Sequence, residues 1–391
     1  MFGSIYIGLS GLSAYSKGLQ TVSNNISNIN TLGYKSSGVS FGDLHGLGSS
    51  GGLDYGRHAG SGHGVSVNDI TIDFKQGELR QTGRDLDLSI DGNGFLVLLD
   101  GDNTYYTRTG SFAVGEDGYI VLQGTDYRLA VLDESGRPVA LNVDSHRTNP
   151  PEETDRIKFA SNLSRSANAF SLSDVKVYNK QGEEDTWTIS FNRPLETSTD
   201  WTVTVRTKSG TEIGSKTLKF TNDNKVDPTT RELLFEDAAS GLGITFDFTD
   251  VTNYDGGTVV TLEVDDVAGH PAGSIATLRV NEQGKFEIAY TNEEKRELGA
   301  IALADFRDPQ SLEQRSKALF AYTGQGQRQY LAAADSRVGT ILSGRLEASN
   351  VDLGSQFGDL ILIQRGFQAS SQVISVTNDM IQQLFGIRGQ G

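Results

Sequence analysis

The sequence predicts a multidomain α+β chain in which coiled-coil-like helices at the N- and C-termini enclose two mainly β domains. Three observations predict this class. Apolar residues repeat at heptad spacing near both ends of the chain. The residues between alternate apolar and polar side chains, with turn signals between the runs. A length of 391 residues exceeds what one hydrophobic core usually serves, so more than one domain is expected.

The N-terminal helix is predicted over residues 1–35, as one part of an inner-core domain. Lys17 is the only charged residue before Lys35, so the polar face consists of Ser, Gly, Thr and Asn. Such a face suits packing against several neighbours, because an isolated helix of this kind is marginal in water. The heptad repeat places six apolar side chains on one seam: Phe2, Ile5, Leu9, Leu12, Leu19 and Ile26.

A Gly-rich connector is predicted over residues 36–69. Ten glycines lie between positions 38 and 64, which leaves too little side chain to form a domain, so an irregular or flexible segment is expected. His58 and His63 flank a short Gly-containing stretch and are interpreted as incidental to the connector, not as metal ligands.

The inner β domain is predicted to be discontinuous, over residues 70–149 and 291–345. Alternation in DLDLSIDGNGFLVLLDG and YTRTGSFAVGEDGYIVL predicts β-hairpins. Their turn signals are Asp91-Gly92, Asp100-Gly101 and Glu116-Asp117-Gly118.

An outer β domain is predicted over residues 150–290. The shift in composition at Thr148-Asn149-Pro150-Pro151-Glu152 marks its start. Trp187, Ile189 and Phe191 then alternate with Ser and Thr, which predicts a sandwich or barrel of short strands. The chain is therefore expected to leave the inner domain, build the outer one and return.

The C-terminal helix of the inner-core domain is predicted over residues 346–391. Ser349, Asn350 or Asp352 is expected to cap its first turn. An alternative remains open in which the two terminal helices are ordinary core helices or an intramolecular hairpin. The predicted seam contains six apolar residues: Leu353, Phe357, Leu360, Phe367, Ile374 and Ile381.

Composition narrows the class of function. The net charge of −16 and the absence of a Lys/Arg cluster argue against nucleic acid as a partner. No apolar run reaches membrane-spanning length, so no membrane insertion is expected, and no basic n-region indicates a cleaved signal peptide. No nucleophile, zinc or nucleotide motif occurs, so we expect no enzyme activity, no catalytic residues, no cofactor and no metal site.

The two ends and the first β segment resemble the rod and hook family of bacterial flagellar axial proteins. The N-terminal motif is NNISNINTLGYK, which contains Asn24, Asn25, Asn28, Asn30, Gly33, Tyr34 and Lys35. QGELRQTGRDLDLSIDGNGFLVL resembles the inner β domain of the family. The C-terminal motif is EASNVDL, which contains Glu347, Ala348, Ser349, Asn350, Val351, Asp352 and Leu353.

The resemblance implies a structural subunit of the hook, because the inserted outer domain exceeds the single modest β domain of rod members. Such a subunit self-assembles in many copies into a flexible helical tube that couples rod to filament and transmits torque for motility. The implied partners are the distal rod, the hook cap, the hook–filament junction proteins and the flagellar type III export apparatus. The expected location is the extracellular hook, reached without a cleaved signal. Two alternatives stand: a distal rod protein with an enlarged outer domain, and a secreted β-rich adhesin or glycan-acting protein.

A separate hypothesis concerns the role of the asparagines in the N-terminal motif. Asn side chains bond to nearby backbone groups and tolerate left-handed dihedral angles. We therefore expect Asn24, Asn25, Asn28 and Asn30 to weaken the helix in the free chain and to satisfy backbone groups at its end, with Gly33 permitting the exit. A simple polar helix face followed by a loop remains the alternative.

Overall fold

A computed structural model describes residues 2–45, 62–194, 199–238, 240–324, 327–333 and 335–388. The chain divides into two compact units. Unit 1 comprises Met1–Asp144, Leu278–Glu287 and Glu297–Gly391, and unit 2 comprises Ser145–Thr277 and Ile288–Arg296. Both chain ends therefore belong to unit 1, and unit 2 is an insertion. Its bounds differ by a few residues from the 150–290 predicted for the outer domain.

The chain has a long helix at each end and a β-rich middle, which confirms the α+β class. Helix α1 spans Phe2–Ser27 and helix α2 spans Leu353–Arg388. Helix α1 ends earlier than the predicted residue 35, because turns replace the helix from Asn28 and Gly33 adopts a φ of +69°. Helix α2 begins after Asp352, whose Oδ1 accepts a hydrogen bond from Ser355 N at 2.8 Å. Of the three predicted capping residues, Asp352 therefore caps the helix.

The predicted irregular connector is a β-hairpin in its described parts. Strand β1 spans Ser37–His45 and strand β2 spans Gly62–Ile72, and they pair antiparallel from Ser37↔Ile72 to His45↔Gly62. The prediction rested on the glycine content of the segment. It did not use the alternating residues of SGVSFGDLH and GVSVNDITI, which are typical of a strand. The stretch 46–61, with His58, lies outside the described residues.

The strands of unit 1 that follow the hairpin are β3 Leu79–Gln81, β4 Asp87–Asp91, β5 Phe95–Asp100, β6 Asn103–Thr107, β7 Thr109–Val114, β8 Ile120–Leu122, β9 Arg128–Leu132 and β10 Pro138–Ala140. Those near the C-terminal helix are β23 Ala302–Phe306, β24 Leu312–Arg315, β25 Leu319–Tyr322, β26 Arg328–Ala332, β27 Thr340–Ser343 and β28 Arg345–Glu347. Most of them form a 12-stranded sheet with the strand order β24-β25-β6-β5-β9-β8-β7-β4-β27, in which β10 pairs with β9, and β23 pairs with β5 and β26. A separate pair joins β3 to β28.

Two of the three predicted hairpin turns connect paired strands. Strands β5 and β6 pair across Asp100-Gly101, and β7 and β8 pair across Glu116-Asp117-Gly118. The turn at Asp91-Gly92 is not a hairpin, because β4 pairs with β7 and β27 instead of β5. Gly92 has a φ of +144°, and a Cβ there would lie 2.6 Å from Gly339 Cα. The glycine therefore permits a close backbone approach to the chain that enters β27.

The strands of unit 2 begin with β11 Thr148–Asn149, β12 Glu152–Asn162, β13 Ala169–Tyr178, β14 Glu184–Asn192, β15 Trp201–Thr207 and β16 Glu212–Leu218. They continue with β17 Glu232–Asp237, β18 Leu242–Thr252 and β19 Glu263–His270. Unit 2 is built mainly from two four-stranded sheets, with strand orders β17-β18-β12-β19 and β13-β14-β15-β16. Side chains from both sheets share one core, so unit 2 is a β-sandwich.

Three further strands contain residues assigned to each of the two units: β20 Gly273–Val280, β21 Lys285–Tyr290 and β22 Lys295–Ala300. They form a sheet with β11. Short 3-10 helices lie at Asp144–His146, Pro309–Ser311 and Ser316–Ala318.

Candidate assembly site at the two chain ends

Helices α1 and α2 pack against each other as an antiparallel pair. The closest contacts are at small residues: a Cβ on Gly8 would lie 2.7 Å from Ile374 Cγ1, and one on Gly11 would lie 2.5 Å from Ser370 Oγ. Toward the other end of the pair, a Cβ on Gly366 would lie 2.5 Å from the Tyr15 ring. The glycines therefore allow an approach that larger side chains would prevent.

The contact face of α1 is not its predicted apolar seam. Small and medium side chains at Ala14, Gly18, Val22 and Asn25 continue the face begun by Gly8 and Gly11, and all are buried. The seam lies to one side of this face. The predicted seam residues that stay half-buried are Ile5, Leu12, Leu19, Ile26, Leu360, Phe367, Ile374 and Ile381. Those that are exposed are Leu9, Leu353 and Phe357, and the side chain of Phe2 lies outside the described part of the chain.

Exposed apolar side chains lie at the two ends of the helix pair. At the chain-terminal end they are Tyr6, Ile7, Leu9, Val373, Val376, Met380 and Phe385. At the junction end, where the helices meet the β-structure, they are Leu353, Phe357, Ile361 and Leu362. Between these two groups the exposed surface carries polar residues such as Lys17, Gln364 and Arg365. Groups of exposed apolar side chains are typical of surfaces that contact another protein.

The hairpin of β1 and β2 lies against α1. The Tyr15 and Phe41 rings have centroids 5.4 Å apart, and Val65 N donates to Ser10 Oγ at 3.2 Å. The hairpin and the helix pair enclose an open groove of about 590 Å³, lined by residues that include Val22, Val39 and Ile363. The hairpin therefore packs on α1 and borders the helix pair.

Asn25 joins the N-terminal motif to the start of α2. It is fully buried. Its Nδ2 donates to Ser37 O at 2.8 Å and to Gln356 Oε1 at 2.9 Å, and its Oδ1 accepts from Ser37 N at 3.0 Å. The Tyr34 hydroxyl also donates to this Oδ1, at 3.1 Å. One amide side chain thereby satisfies the backbone of the chain leaving α1 and a side chain of α2.

The other asparagines of the motif have local roles or are exposed. Asn24 Nδ2 donates to the Tyr34 hydroxyl at 3.2 Å, and Asn28 Nδ2 donates to Asn24 O at 2.9 Å. Asn28 therefore satisfies a carbonyl at the end of α1, as the sequence hypothesis expects. Asn30 is exposed.

A buried ion cluster joins the two motifs. Lys35 Nζ donates to Glu347 Oε1 and to Lys75 O, both at 2.6 Å, and neither side chain of the pair is exposed to solvent. Arg108 Nε lies 3.4 Å from Glu347 Oε2 without hydrogen-bond alignment, so this second contact is an ion pair only. The Arg108 guanidinium donates instead to the carbonyls of Gly94 and Gly92. Two buried cations therefore share one buried carboxylate.

Burial shifts the pKa of both cations in this cluster. It lowers the pKa of Lys35, and the Glu347 carboxylate opposes that shift. It likewise lowers the pKa of Arg108, again against the Glu347 charge. Removing charges from water is costly, and only the partner charge and good hydrogen bonds offset the cost. Glu347 is therefore the group on which the burial of both cations depends.

The C-terminal motif completes the junction with backbone contacts. Asn350 Oδ1 accepts from Ser36 N at 2.8 Å, and Asn350 Nδ2 donates to Asp73 O at 2.7 Å and to Lys75 O at 3.0 Å. Gly33 N donates to Glu347 O at 2.8 Å. Most motif residues singled out from the sequence thus meet at one place, although they come from opposite ends of the chain.

Sequence reasoning missed two parts of the site. Arg108 lies in the inner β domain and has no motif of its own, so no sequence signal pointed to it. The glycine face of α1 did carry a signal, because Gly8, Gly11 and Gly18 recur at spacings of three and seven residues.

Within the described ranges, no group of three or more His, Cys, Asp or Glu side chains is placed to hold a metal ion. No helix of the described chain is long and apolar enough to cross a membrane.

Three family models match successive parts of the chain. Residues 5–35 match the model described as Flagella basal body rod protein, and residues 89–159 match Flagellar hook protein FlgE/F/G D1 domain. Residues 342–387 match Flagellar basal body rod FlgEFG protein C-terminal. The first and last matches contain the two motifs of the junction.

Similar proteins match over nearly the whole chain. The flagellar hook protein FlgE of Borreliella burgdorferi is 27% identical, covering 99% of this chain and 100% of that protein. FlgE of Salmonella typhimurium is 28% identical and FlgE of Escherichia coli is 29% identical, each covering 97% of this chain and 98% of the relative. The crystal structure of Helicobacter pylori flagellar hook protein FlgE2 has a similar fold, with a TM-score of 0.50 at 12% identity over 69% of this chain and 99% of that one.

The family models cover most of both terminal helices and the first part of the inner β domain, and full-length relatives carry the hook name. The family is structural and is not a family of enzymes. Membership places the protein in the flagellum. The chain belongs to the flagellar rod and hook family of axial proteins, as a structural subunit of the hook.

Proposed function

We propose that many copies of this chain assemble into a flexible helical tube whose inner wall is formed by the pairs of α1 and α2. One observation carries the proposal: the helix pair uses small residues for its own contact and leaves apolar side chains exposed at both ends. The chain-terminal end presents residues such as Tyr6 and Phe385, and the junction end presents residues such as Phe357 and Leu362. Surfaces of this kind stabilise an assembly when a second copy covers them.

The proposed contacts between copies use the predicted seams. Burying a Leu, Ile or Phe side chain contributes roughly 1.5–3 kcal/mol, so the exposed Leu9, Leu353 and Phe357 can offset the entropy lost on association. The half-buried seam residues, such as Leu12 and Phe367, would add their remaining exposed surface. Contacts between different faces of successive copies do not close on themselves, and they generate a helical polymer.

The β-sandwich of unit 2 is proposed to lie on the outside and to contact its neighbours through polar surfaces. Its surface carries exposed ion pairs such as Lys158–Asp250, Lys176–Glu184 and Arg206–Glu212. Exposed pairs contribute little to stability and exchange partners at low cost. Neighbouring copies could therefore slide past one another as the tube bends, while the inner helices hold the polymer together and transmit torque from rod to filament.

The remaining partners follow from the family resemblance. The proposed tube would join the distal rod at one end and the hook–filament junction proteins at the other, and it would grow beneath a hook cap. The flagellar type III apparatus is the proposed export route, without cleavage of a signal peptide and with the hook outside the cell as the destination. We propose no catalytic role and no cofactor.

Electron microscopy of basal bodies from a strain that lacks this gene tests the proposal. The expected result is a completed rod with no curved hook beyond it. A rod that stops short would favour a distal rod protein. Intact flagella would contradict any role in the axis and would return attention to a secreted adhesin or glycan-acting protein.

A further inference from the structure

Unit 2 presents two large apolar side chains to solvent from one loop, residues 253–259, which we call the Tyr254 loop. Tyr254 is 54% exposed and Val259 is 65% exposed. Large apolar side chains gain most when another surface removes them from water, and tyrosine is enriched among the residues that dominate protein–protein contacts. The loop therefore presents side chains that suit a contact with a second molecule.

Hydrogen bonds hold the Tyr254 loop in one conformation. Asn162 Oδ1 accepts from Tyr254 N at 2.8 Å, and Asn162 Nδ2 donates to Tyr254 O at 3.1 Å. Ser164 Oγ donates to Gly257 O at 2.6 Å, and Asp255 Oδ1 accepts from Gly257 N at 3.0 Å. Because the loop is already ordered, binding a partner costs little further conformational entropy.

An apolar groove lies elsewhere on the same unit, along the side where its two main sheets part. Strands β13 and β19, which border this groove, are each the outermost strand of their sheet. A bulge between Leu172 and Val175 interrupts β13, with Asp174 at a φ of +60°. The groove has a volume of about 520 Å³, and its lining includes Leu172, Val264 and Val267. These three side chains are half-buried and pack against the sandwich core, so the groove exposes part of that core to solvent.

Positive charge lies beside the Tyr254 loop. Arg165 N donates to Tyr254 O at 3.4 Å, and the Arg193 guanidinium donates to Arg165 O. The loop itself contains a single carboxylate, that of Asp255, so the two arginines exceed it by one charge.

Negative charge lines the groove. Asp174 and Glu263 contribute two carboxylates, and the ammonium of Lys176 is paired with Glu184 at 3.1 Å. A loop with surplus positive charge and a groove with surplus negative charge attract each other. The charges therefore favour the same pairing of surfaces as the apolar side chains do.

We propose that the Tyr254 loop of one copy fills the groove between β13 and β19 of a second copy, so that the sandwiches form head-to-tail rows in the assembled tube. The inference rests on the proposed tube and adds one apolar contact to the polar outer surfaces, while the terminal helices remain the main contacts of the assembly. Loop and groove are different surfaces of one chain, so the contact does not close on itself. A single loop buries far less than the roughly 800 Å² per partner of a stable interface, so the contact forms only where the tube already holds copies side by side.

Cysteine cross-linking in tubes of the full chain tests the inference, because the sequence contains no cysteine. One chain carries Val259→Cys and a second carries Val267→Cys, and a short bismaleimide is added to tubes assembled from the mixture. Covalent dimers are expected in the mixed tubes, and no dimers are expected in tubes of either variant alone or in the unassembled mixture. Leu234→Cys lies on β17, at the opposite edge of the sheet, and is 42% exposed. As a control it replaces Val259→Cys in the mixture and is expected to give no dimers.

A chain that carries both Val259→Cys and Val267→Cys separates a head-to-tail contact from a closed one. It is expected to give a ladder of dimers, trimers and larger species, because each copy contacts two neighbours through different surfaces. Dimers without larger species, or dimers in tubes of Val259→Cys alone, would overturn the inference.

The assembly equilibrium gives a second measurement. Tyr254→Ala combined with Val259→Ala is expected to raise the critical concentration for tube growth by roughly tenfold, because it removes both apolar side chains of the contact. Leu234→Ala, the matched control, is expected to leave this concentration unchanged. An unchanged critical concentration in the double variant, together with no dimers in the mixed tubes, would overturn the inference and leave the proposed tube intact. Failure of the unaltered chain to form tubes would instead overturn the proposed function, and the inference with it.

Discussion

At the scale of single residues, the buried hydroxyl of Tyr106 is expected to make unit 1 less stable at high pH. Burial raises the pKa of this phenol, with a smaller contribution from the Tyr330 hydroxyl 3.4 Å away. Above about pH 10 the unfolded chain loses this proton while the folded chain keeps it. The free energy of unfolding should therefore fall as pH rises through and beyond that value, by up to about 1.4 kcal/mol per pH unit for this group.

Urea unfolding of Tyr106→Phe and the unaltered chain, at several values above about pH 9, checks this dependence. The variant should show a smaller slope of unfolding free energy against pH. Tyr254→Phe changes an exposed tyrosine and serves as the control, with no expected effect on the slope. An identical slope in all three proteins would show that Tyr106 titrates alike in the folded and unfolded states.

Asn25 and Asn30 belong to the same sequence motif and should differ in their contribution to stability. Asn25→Ala would leave the Ser37 backbone and the Tyr34 hydroxyl without their buried partner. Each such group costs about 1–3 kcal/mol, so we expect a loss of about 2–4 kcal/mol in unfolding free energy of unit 1. Asn30→Ala, at an exposed position, should stay within about 0.5 kcal/mol. Urea titration followed by circular dichroism measures both, and equal losses would contradict the assignment.

The motif showed which residues matter but not what each one does. Four asparagines look equivalent in sequence, because propensity describes only local backbone chemistry. Their difference arises from tertiary position: Asn25 faces α2, whereas Asn30 faces solvent. Arg108 could not be identified for the same reason, since its role depends on a carboxylate that lies 239 positions later in the chain.

At the scale of elements, the close approach of α1 and α2 makes the two interior glycines of α2 respond oppositely to the same substitution. A Cβ on Gly366 would lie 2.5 Å from the rigid Tyr15 ring, which is itself packed against Phe41. Gly358 has no neighbour within 4 Å of such a Cβ. Gly366→Ala should destabilise the helix pair by about 1–3 kcal/mol, because one helix must move. Gly358→Ala should stabilise it by up to about 1 kcal/mol, because alanine favours the helix.

Thermal unfolding followed by the helical circular dichroism signal checks both variants. Both variants replace glycine with alanine in the same helix, so they gain the same helix propensity. The difference between their unfolding temperatures therefore measures the effect of the interhelical contact. Equal shifts in the same direction would mean that α1 and α2 are separated in solution.

Helix position was predictable from sequence, whereas helix orientation was not. Heptad spacing located both helices because apolar periodicity reflects the pitch of the helix. The same pattern located an apolar seam on each helix, but it did not reveal that the face of α1 that contacts α2 is formed by glycines and other small residues. The β1–β2 hairpin escaped prediction because glycine composition was given more weight than the alternation around it.

At the scale of the whole molecule, both chain ends belong to unit 1 and both tryptophans belong to unit 2. Trp187 and Trp201 are the chain's two tryptophans, and both are fully buried in the sandwich core. Tryptophan fluorescence therefore reports on unit 2 alone. Because the proposed assembly contacts lie on the terminal helices, assembly and the folding of unit 2 can be followed by separate signals.

Removal of residues 1–30 should prevent polymer growth and leave unit 2 folded. The deletion removes α1 together with Leu9 and Leu12 of the seam, and it also removes Asn25 from the junction. Electron microscopy of the purified protein under conditions that polymerise the full chain should show no tubes. The tryptophan unfolding midpoint should stay within about 2 °C of the full-length value, because the sandwich core contains no residue from the deleted segment. Tubes formed by the shortened chain would show that α1 is dispensable for assembly, and a large shift of the midpoint would show that unit 2 depends on the chain ends for its stability.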